Sequence, residues 1–249
     1  MLKRKAFLIG APQRLLSNIK DNGYLKGVTP DIINMKKHLL SNKGGAWYES
    51  EIQTFSNPTR EELLQEVSGE YDYVVLQYSG HGFELRDNRV FLLLDYFDIS
   101  KSIALDELLN HFIAAKCFCF IDCCRGLVLP EEAMGLEKAN KLFSMRDSNN
   151  QPYREKFDRI VNSCEKGPTI IFSCDSDESA GEDAKGNGGY FSLAYLKVAK
   201  NAVINEGHYC SVKNIFDSAV PEMKKMFPLA TQNPIILPER RIQYFPFCI

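Results

Sequence analysis

The sequence is short of several things, and each shortage excludes a class. Lysine and arginine together number 30 against 32 aspartates and glutamates, a formal net charge of −2. Without a basic excess there is no electrostatic footprint for nucleic acid or an anionic membrane, and neither is expected as a partner. The opening stretch MLKRKAFLIGAP is apolar for only a few residues, too few for a signal peptide or a spanning helix. It reads as a first buried strand, and a cytoplasmic location is expected. Internal repeats and a clear second domain are also missing. Cysteine is not scarce, with eight residues, four of them in KCFCFIDCCRG. Yet no two make a Cys-x-x-Cys pair and no histidine falls at finger spacing, so no structural zinc is expected. With no export signal the thiols default to the reduced state. Cys117 and Cys119 alternate with apolar residues and read as small core hydrophobes.

What is present is an alternation of strands and helices. RKAFLIG, Trp47 to Phe55, YDYVVLQYSG, VFLLLDYFD, CFCFID and TIIFSC read as apolar strands. Helical patterns follow Pro30–Asp31 and Asn57-Pro58-Thr59, and cover IALDELLNHF, YFSLAYLKVAKNAV and the region near Val212–Met226. Such an order needs crossover connections and gives an α/β fold with a mainly parallel sheet. The 249 residues suit one domain spanning 1–249. Within it, 127–168 is rich in Ser, Asn, Gln, Pro and charge, and reads as an exposed, flexible, linker-like insertion.

In parallel sheets ligands meet the carboxyl ends of the strands. His81, between Gly80 and Gly82, follows one buried strand, and Cys124 follows another. Alone, His81 would read as a turn residue and Cys124 as a packing residue. Together at strand ends they suit a thiol nucleophile with an imidazole acid–base. Glycine on either side of His81 allows a sharp turn and a close backbone N–H. Side chains alternate along a strand, so Cys123 and Cys124 point to opposite sides, and Asp122 shares the side of Cys124. Thiol hydrolases with a tight nucleophile elbow place a glycine before the cysteine, and Cys124 has none.

Tyr78-Ser79-Gly80-His81-Gly82 resembles the histidine motif of caspases, metacaspases and paracaspases, and Asp122-Cys123-Cys124-Arg125-Gly126 resembles their cysteine motif. The Asp-x-Cys spacing of metacaspases selects Cys124 over Cys123. The likeness extends from Lys5 to about Asn233 and includes the Leu25–Asp31 element. It implies a caspase-like three-layer α/β/α sandwich and a cysteine endopeptidase. Cys124 would be the nucleophile, His81 the acid–base, and the N–H groups of Gly82 and Cys124 the oxyanion donors. Asp31, Asp122 and Glu178 would line a pocket for arginine or lysine before the cut, while Asp175, Asp177, Glu182 and Asp183 read as solvated loop. An arginine before His81, which caspases use to bind aspartate, has no counterpart here.

The acids after the histidine motif, Asp87, Asp95 and Asp98, are spread out, so no calcium, metal or other cofactor is expected. A protein or peptide substrate is the expected partner, with a homodimer or a larger signalling complex left open. Caspases and many relatives are cut after the cysteine motif. Self-cleavage is therefore expected between Leu136 and Asp158, after Arg146 or Arg154. The alternative is a caspase-fold pseudoenzyme or scaffold.

Overall fold

The computed structural model describes residues 1–13, 23–95, 98–126 and 151–249. Its strands are β1 (Arg4–Ala11), β2 (Ile52–Ser56), β3 (Gly69–Gly80), β4 (Gly82–Glu84), β5 (Val90–Leu92), β6 (Ile103–Ala104), β7 (Phe112–Asp122), β8 (Gly167–Phe172), β9 (Cys210–Ser211), β10 (Ile235–Leu237) and β11 (Pro246–Cys248). Its α-helices are α1 (Val28–Leu40), α2 (Arg60–Glu66), α3 (Leu105–Asn110), α4 (Gln151–Ser163), α5 (Tyr190–Asn201) and α6 (Val212–Met226). The main sheet has the order β10-β8-β7-β3-β1-β2, parallel except at β10, which runs antiparallel on the β8 edge.

Strand alternation divides the core into two layers. Ala6, Leu8, Tyr73, Val75, Phe118 and Phe120 face one way, onto α1, α4, α5 and α6. Phe7, Ile9, Val74, Leu76, Cys117, Cys119 and Ile121 face the other way, onto α2 and α3. The result is an α/β/α sandwich, with Cys117 and Cys119 as buried apolar residues of its second layer. Among the described residues no helix is long and apolar enough to cross a membrane.

Several expectations are corrected. VFLLLDYFD is not one long strand: among its described residues only Val90–Leu92 is, and it joins β4 and β6 in a small antiparallel sheet beside the main one. The second strand begins at Ile52, and Trp47 is a buried plug stacked under the Arg4 guanidinium at 4.6 Å. Helix α1 begins at Val28, because Pro30 in a first turn gives up an N–H that would have no helical partner. The segment 127–168 is not all loop. Residues 127–150 lie outside those described, but Gln151–Ser163 is a helix that buries Arg154, Phe157, Asp158 and Val161. Two of its charged residues, Arg154 and Asp158, do not face water. Arg154 Nη1 donates to Glu51 Oε2 at 2.7 Å, and Asp158 lies 3.5 Å from Arg4. A buried guanidinium held by a carboxylate is a poor cut site, which removes Arg154 as a candidate.

Candidate active site

Strand β3 ends at Gly80 and β4 starts at Gly82, so His81 is the single residue at which the chain leaves the main sheet for the small one. Its backbone is held firmly. The buried Tyr78 hydroxyl donates to the His81 carbonyl at 2.7 Å, and the Leu93 N–H donates to the same oxygen at 3.0 Å. The ring is oriented by the main chain: Nε2 lies 2.6 Å from the Gly23 carbonyl. A carbonyl only accepts, so Nε2 carries a proton and Nδ1 is left as the acceptor in the neutral ring.

Cys124 lies two residues beyond β7, half-buried, and its thiol donates to the Ala180 carbonyl at 3.7 Å. Burial raises its pKa above the ordinary thiol value, against the lowering effect of the Ala180 and Ser179 contacts. The neighbouring thiols are still harder to ionise: burial drives Cys123 far up and Cys174 up to about 12. Cys123 points the other way, as alternation predicts, and belongs to the layer under α2 and α3. Its Sγ would sit 2.5 Å from any Cβ at position 82, with the Phe91 carbonyl at 2.9 Å, so only glycine fits there.

One cavity of about 170 Å³ has Asp31, His81, Asp122, Cys124, Ala180 and Glu182 in its wall. Asp31 comes from the first turn of α1 and Asp122 from the end of β7, and both are almost fully buried. The Gly189 N–H donates to both Asp31 oxygens at 3.1 Å, and Ser79 Oγ to Oδ2 at 2.9 Å. Ser192 Oγ donates to Asp122. Burial, and then the charge of Asp122, push the Asp31 carboxyl well above the usual carboxylate range, and burial raises Asp122 too. The acids crowd a glycine turn. A Cβ at Gly188 would lie 2.5 Å from Asp31, and one at Gly189 would lie 2.3 Å from Asp122. The signal for this turn in the sequence is the glycine-rich GNGGY that leads into the helix.

The third expected acid is elsewhere. Glu178 is outside the cavity wall, and its carboxylate accepts from Asn233 and from Asp175 N, bonds that hold its pKa below the ordinary value against some burial. Glu182, expected in solvated loop, stands in the wall instead. Its carboxylate accepts the Gly27 N–H at 2.8 Å and the Lys26 N–H at 3.2 Å, which ties the loop to the start of α1. Among the described residues no group of three or more His, Cys, Asp or Glu could hold a metal ion. Asp87 pairs with Arg89, and Asp95 and Asp98 with Lys101.

Among curated proteins, none matches the chain. Among solved structures, the chain is similar to caspase-1 from Spodoptera frugiperda, with a TM-score of 0.56 over 94% of this chain and 87% of that one at 14% identity. That likeness is one of fold. In sequence, the caspase-domain family model matches residues 3–241. The strand ends that carry the histidine and cysteine motifs both fall within this span, and the chain belongs to the caspase-domain family.

Proposed function

We propose that the chain is a cysteine endopeptidase that cuts after arginine or lysine, with Cys124 and His81 as its dyad. The observation that carries this reading is the shared cavity. It joins the half-buried thiol and the imidazole to two buried carboxylates, and no lysine or arginine is among the described residues that line it. Buried acids that repel one another need a cation, and a guanidinium offers the donors to bridge them. Glu182 would flank that cation in place of Glu178.

The steps follow from the donors and acceptors. Cys124 rests as a thiol and passes its proton to His81 Nδ1 as sulfur attacks the scissile carbonyl. The carbonyl electrons move onto oxygen, which the Gly82 and Cys124 N–H groups receive. As the C–N bond breaks, His81 returns the proton to the leaving amine. His81 then takes a proton from water, which hydrolyses the thioester and frees the thiol. The Gly23 carbonyl keeps the ring oriented throughout.

Purified protein assayed on fluorogenic peptides ending in Arg, Lys, Asp or Leu tests the reading. Turnover of the Arg and Lys peptides alone is expected. In Cys124→Ala it should fall about 10⁴-fold or more. Preference for Asp or Leu would overturn the pocket assignment. Absence of turnover, together with an inert Cys124 thiol, would favour a scaffold.

A further inference from the structure

The Thr231-Gln232-Asn233-Pro234 run has no part in the chemistry above, yet it grips the nucleophile's surroundings at three points. Gln232 is almost fully buried. Its Nε2 donates to the Ser173 carbonyl at 2.8 Å, and its Oε1 accepts the Gly181 N–H at 2.8 Å. These bonds fix both ends of the 173–181 loop, and the carbonyl next to Gly181 is that of Ala180, which accepts the Cys124 thiol. Asn233 holds the middle. Its backbone N–H donates to Glu178 Oε2 at 2.7 Å and its Nδ2 to Oε1 at 2.6 Å, so one residue meets both carboxylate oxygens.

Glu178 passes that constraint on. Its own carbonyl accepts the Arg125 N–H at 2.9 Å and the Gly126 N–H at 3.0 Å, the two peptide groups that follow Cys124. The Cys174 thiol, 3.5 Å away, donates there too. The dipeptide is itself anchored, because β10 begins two residues after Asn233 and pairs with β8 from Ile235 opposite Phe172. Pro234 between them has a fixed φ and no N–H to compete for acceptors. A rigid edge strand thus ends in two amides directed at the loop behind the thiol.

We infer that Gln232 and Asn233 are positioning residues for the nucleophile: through Ser173, Gly181 and the Glu178 carboxylate they hold the Ala180 carbonyl and the 124–126 backbone in place. Glu178 therefore serves the thiol and not the side chain of the substrate. The inference rests on Cys124 being the nucleophile, as proposed above, but the position of its thiol can be read without any substrate.

The test compares wild type with Asn233→Asp, Gln232→Met and the double variant Glu178→Gln/Asn233→Asp. Asn233→Asp sets two carboxylates face to face and unseats Glu178. Gln232→Met keeps shape and removes both amide bonds. The double variant restores a donor opposite an acceptor, now with the amide on residue 178. Three quantities are read: the rate of Cys124 alkylation by iodoacetamide, located by peptide mapping; kcat and KM on Arg and Lys peptides; and Tm. In the two single variants the freed loop should expose the thiol, so alkylation speeds up by about threefold or more. At the same time kcat should fall about tenfold or more, with KM for the Arg peptide within about twofold of wild type. The double variant should recover most of both. Alkylation and kcat as in wild type would overturn the inference. So would a rise in KM with kcat unchanged, or a fall in Tm that accounts for all the change. If wild type turns over no peptide, the proposed function fails, and the alkylation series alone still decides the role of Gln232 and Asn233. Should Asn233→Asp fail to fold, Gln232→Met carries the decision.

Discussion

At the scale of single residues, adjacent cysteines have separate fates because a strand sends consecutive side chains to opposite faces. Cys123 fills the space left by Gly82, and Cys124 opens on the cavity with His81. Cys123→Ala should cost about 1 kcal/mol of stability and keep most of the peptidase activity, whereas Cys124→Ala should abolish it. Activity assays of both variants at matched folded fraction check this, and the reverse pattern would mean that the register is wrong. A second residue reports on pH. His38 stacks on Phe247 at 4.2 Å with Nε2 2.9 Å from the Phe247 carbonyl, and burial lowers its pKa from 6.5 to about 4. Between those values the unfolded chain binds the extra proton, so stability rises with pH across that window and is lost as pH falls from 6.5 towards 4. Asp31 and Asp122, with raised values, act in the opposite sense. Comparing wild type with His38→Gln cancels them. Denaturant titrations from pH 4 to 7 should show a flatter profile in the variant, and parallel profiles would refute the assignment.

At the scale of elements, the long strands of the main sheet were legible and one helix was not, for a physical reason. The β1, β3, β7 and β8 segments announce themselves as apolar runs, and α2 by Thr59, whose hydroxyl accepts from Glu62 N at 3.2 Å while Glu62 returns a bond to Thr59 N at 3.0 Å. Helix α4 buries Arg154, Phe157, Asp158 and Val161, a helical spacing in which half the inward positions are charged. A hydrophobic pattern cannot reveal a face stabilised by Arg4, Glu51 and the Ala46 carbonyl, all contributed by residues about a hundred or more positions away. The pocket acids divide likewise. Asp31 and Asp122 lie at element ends that the sequence marks. The exchange of Glu182 for Glu178 depends on the path of a glycine-rich loop, which no spacing rule supplies. That loop gives a prediction of its own. Gly189 has an ordinary φ of −63°, so backbone strain does not forbid a side chain there, but the 2.3 Å approach of Asp122 does. Gly189→Ala should raise KM for basic peptides about tenfold or more and cost about 1–3 kcal/mol of stability. An unchanged KM with a normal Tm would remove Asp122 from the pocket.

At the scale of the whole molecule, the order of strands and helices was enough to bring both motifs to one end of the sheet, because parallel sheets open at their carboxyl ends and both motifs fall there. The β10 edge and the small β4-β5-β6 sheet were not legible, since strands of two or three residues carry too little pattern. With Arg154 locked in α4, self-cleavage in the segment after Cys124 should use Arg146, which lies outside the described residues, and Arg146→Ala should leave the chain intact where wild type is cut. Intact-mass analysis beside Cys124→Ala checks this, and cleavage of the inactive variant would assign the cut to another protease.

Such a cut would fall between β7 and β8, which are paired from Lys116 opposite Gly167 to Ile121 opposite Phe172 in the middle of the main sheet. His81 and Cys124 lie on one side of it, and Ala180, Glu182, Gln232 and Asn233 on the other. A nicked molecule would therefore be two interlocked halves, joined by sheet hydrogen bonds and a shared core. They should co-elute in native buffer and part only in denaturant. Expressed separately, each half would hold an unfinished site, and activity would return on mixing, as in fragment complementation.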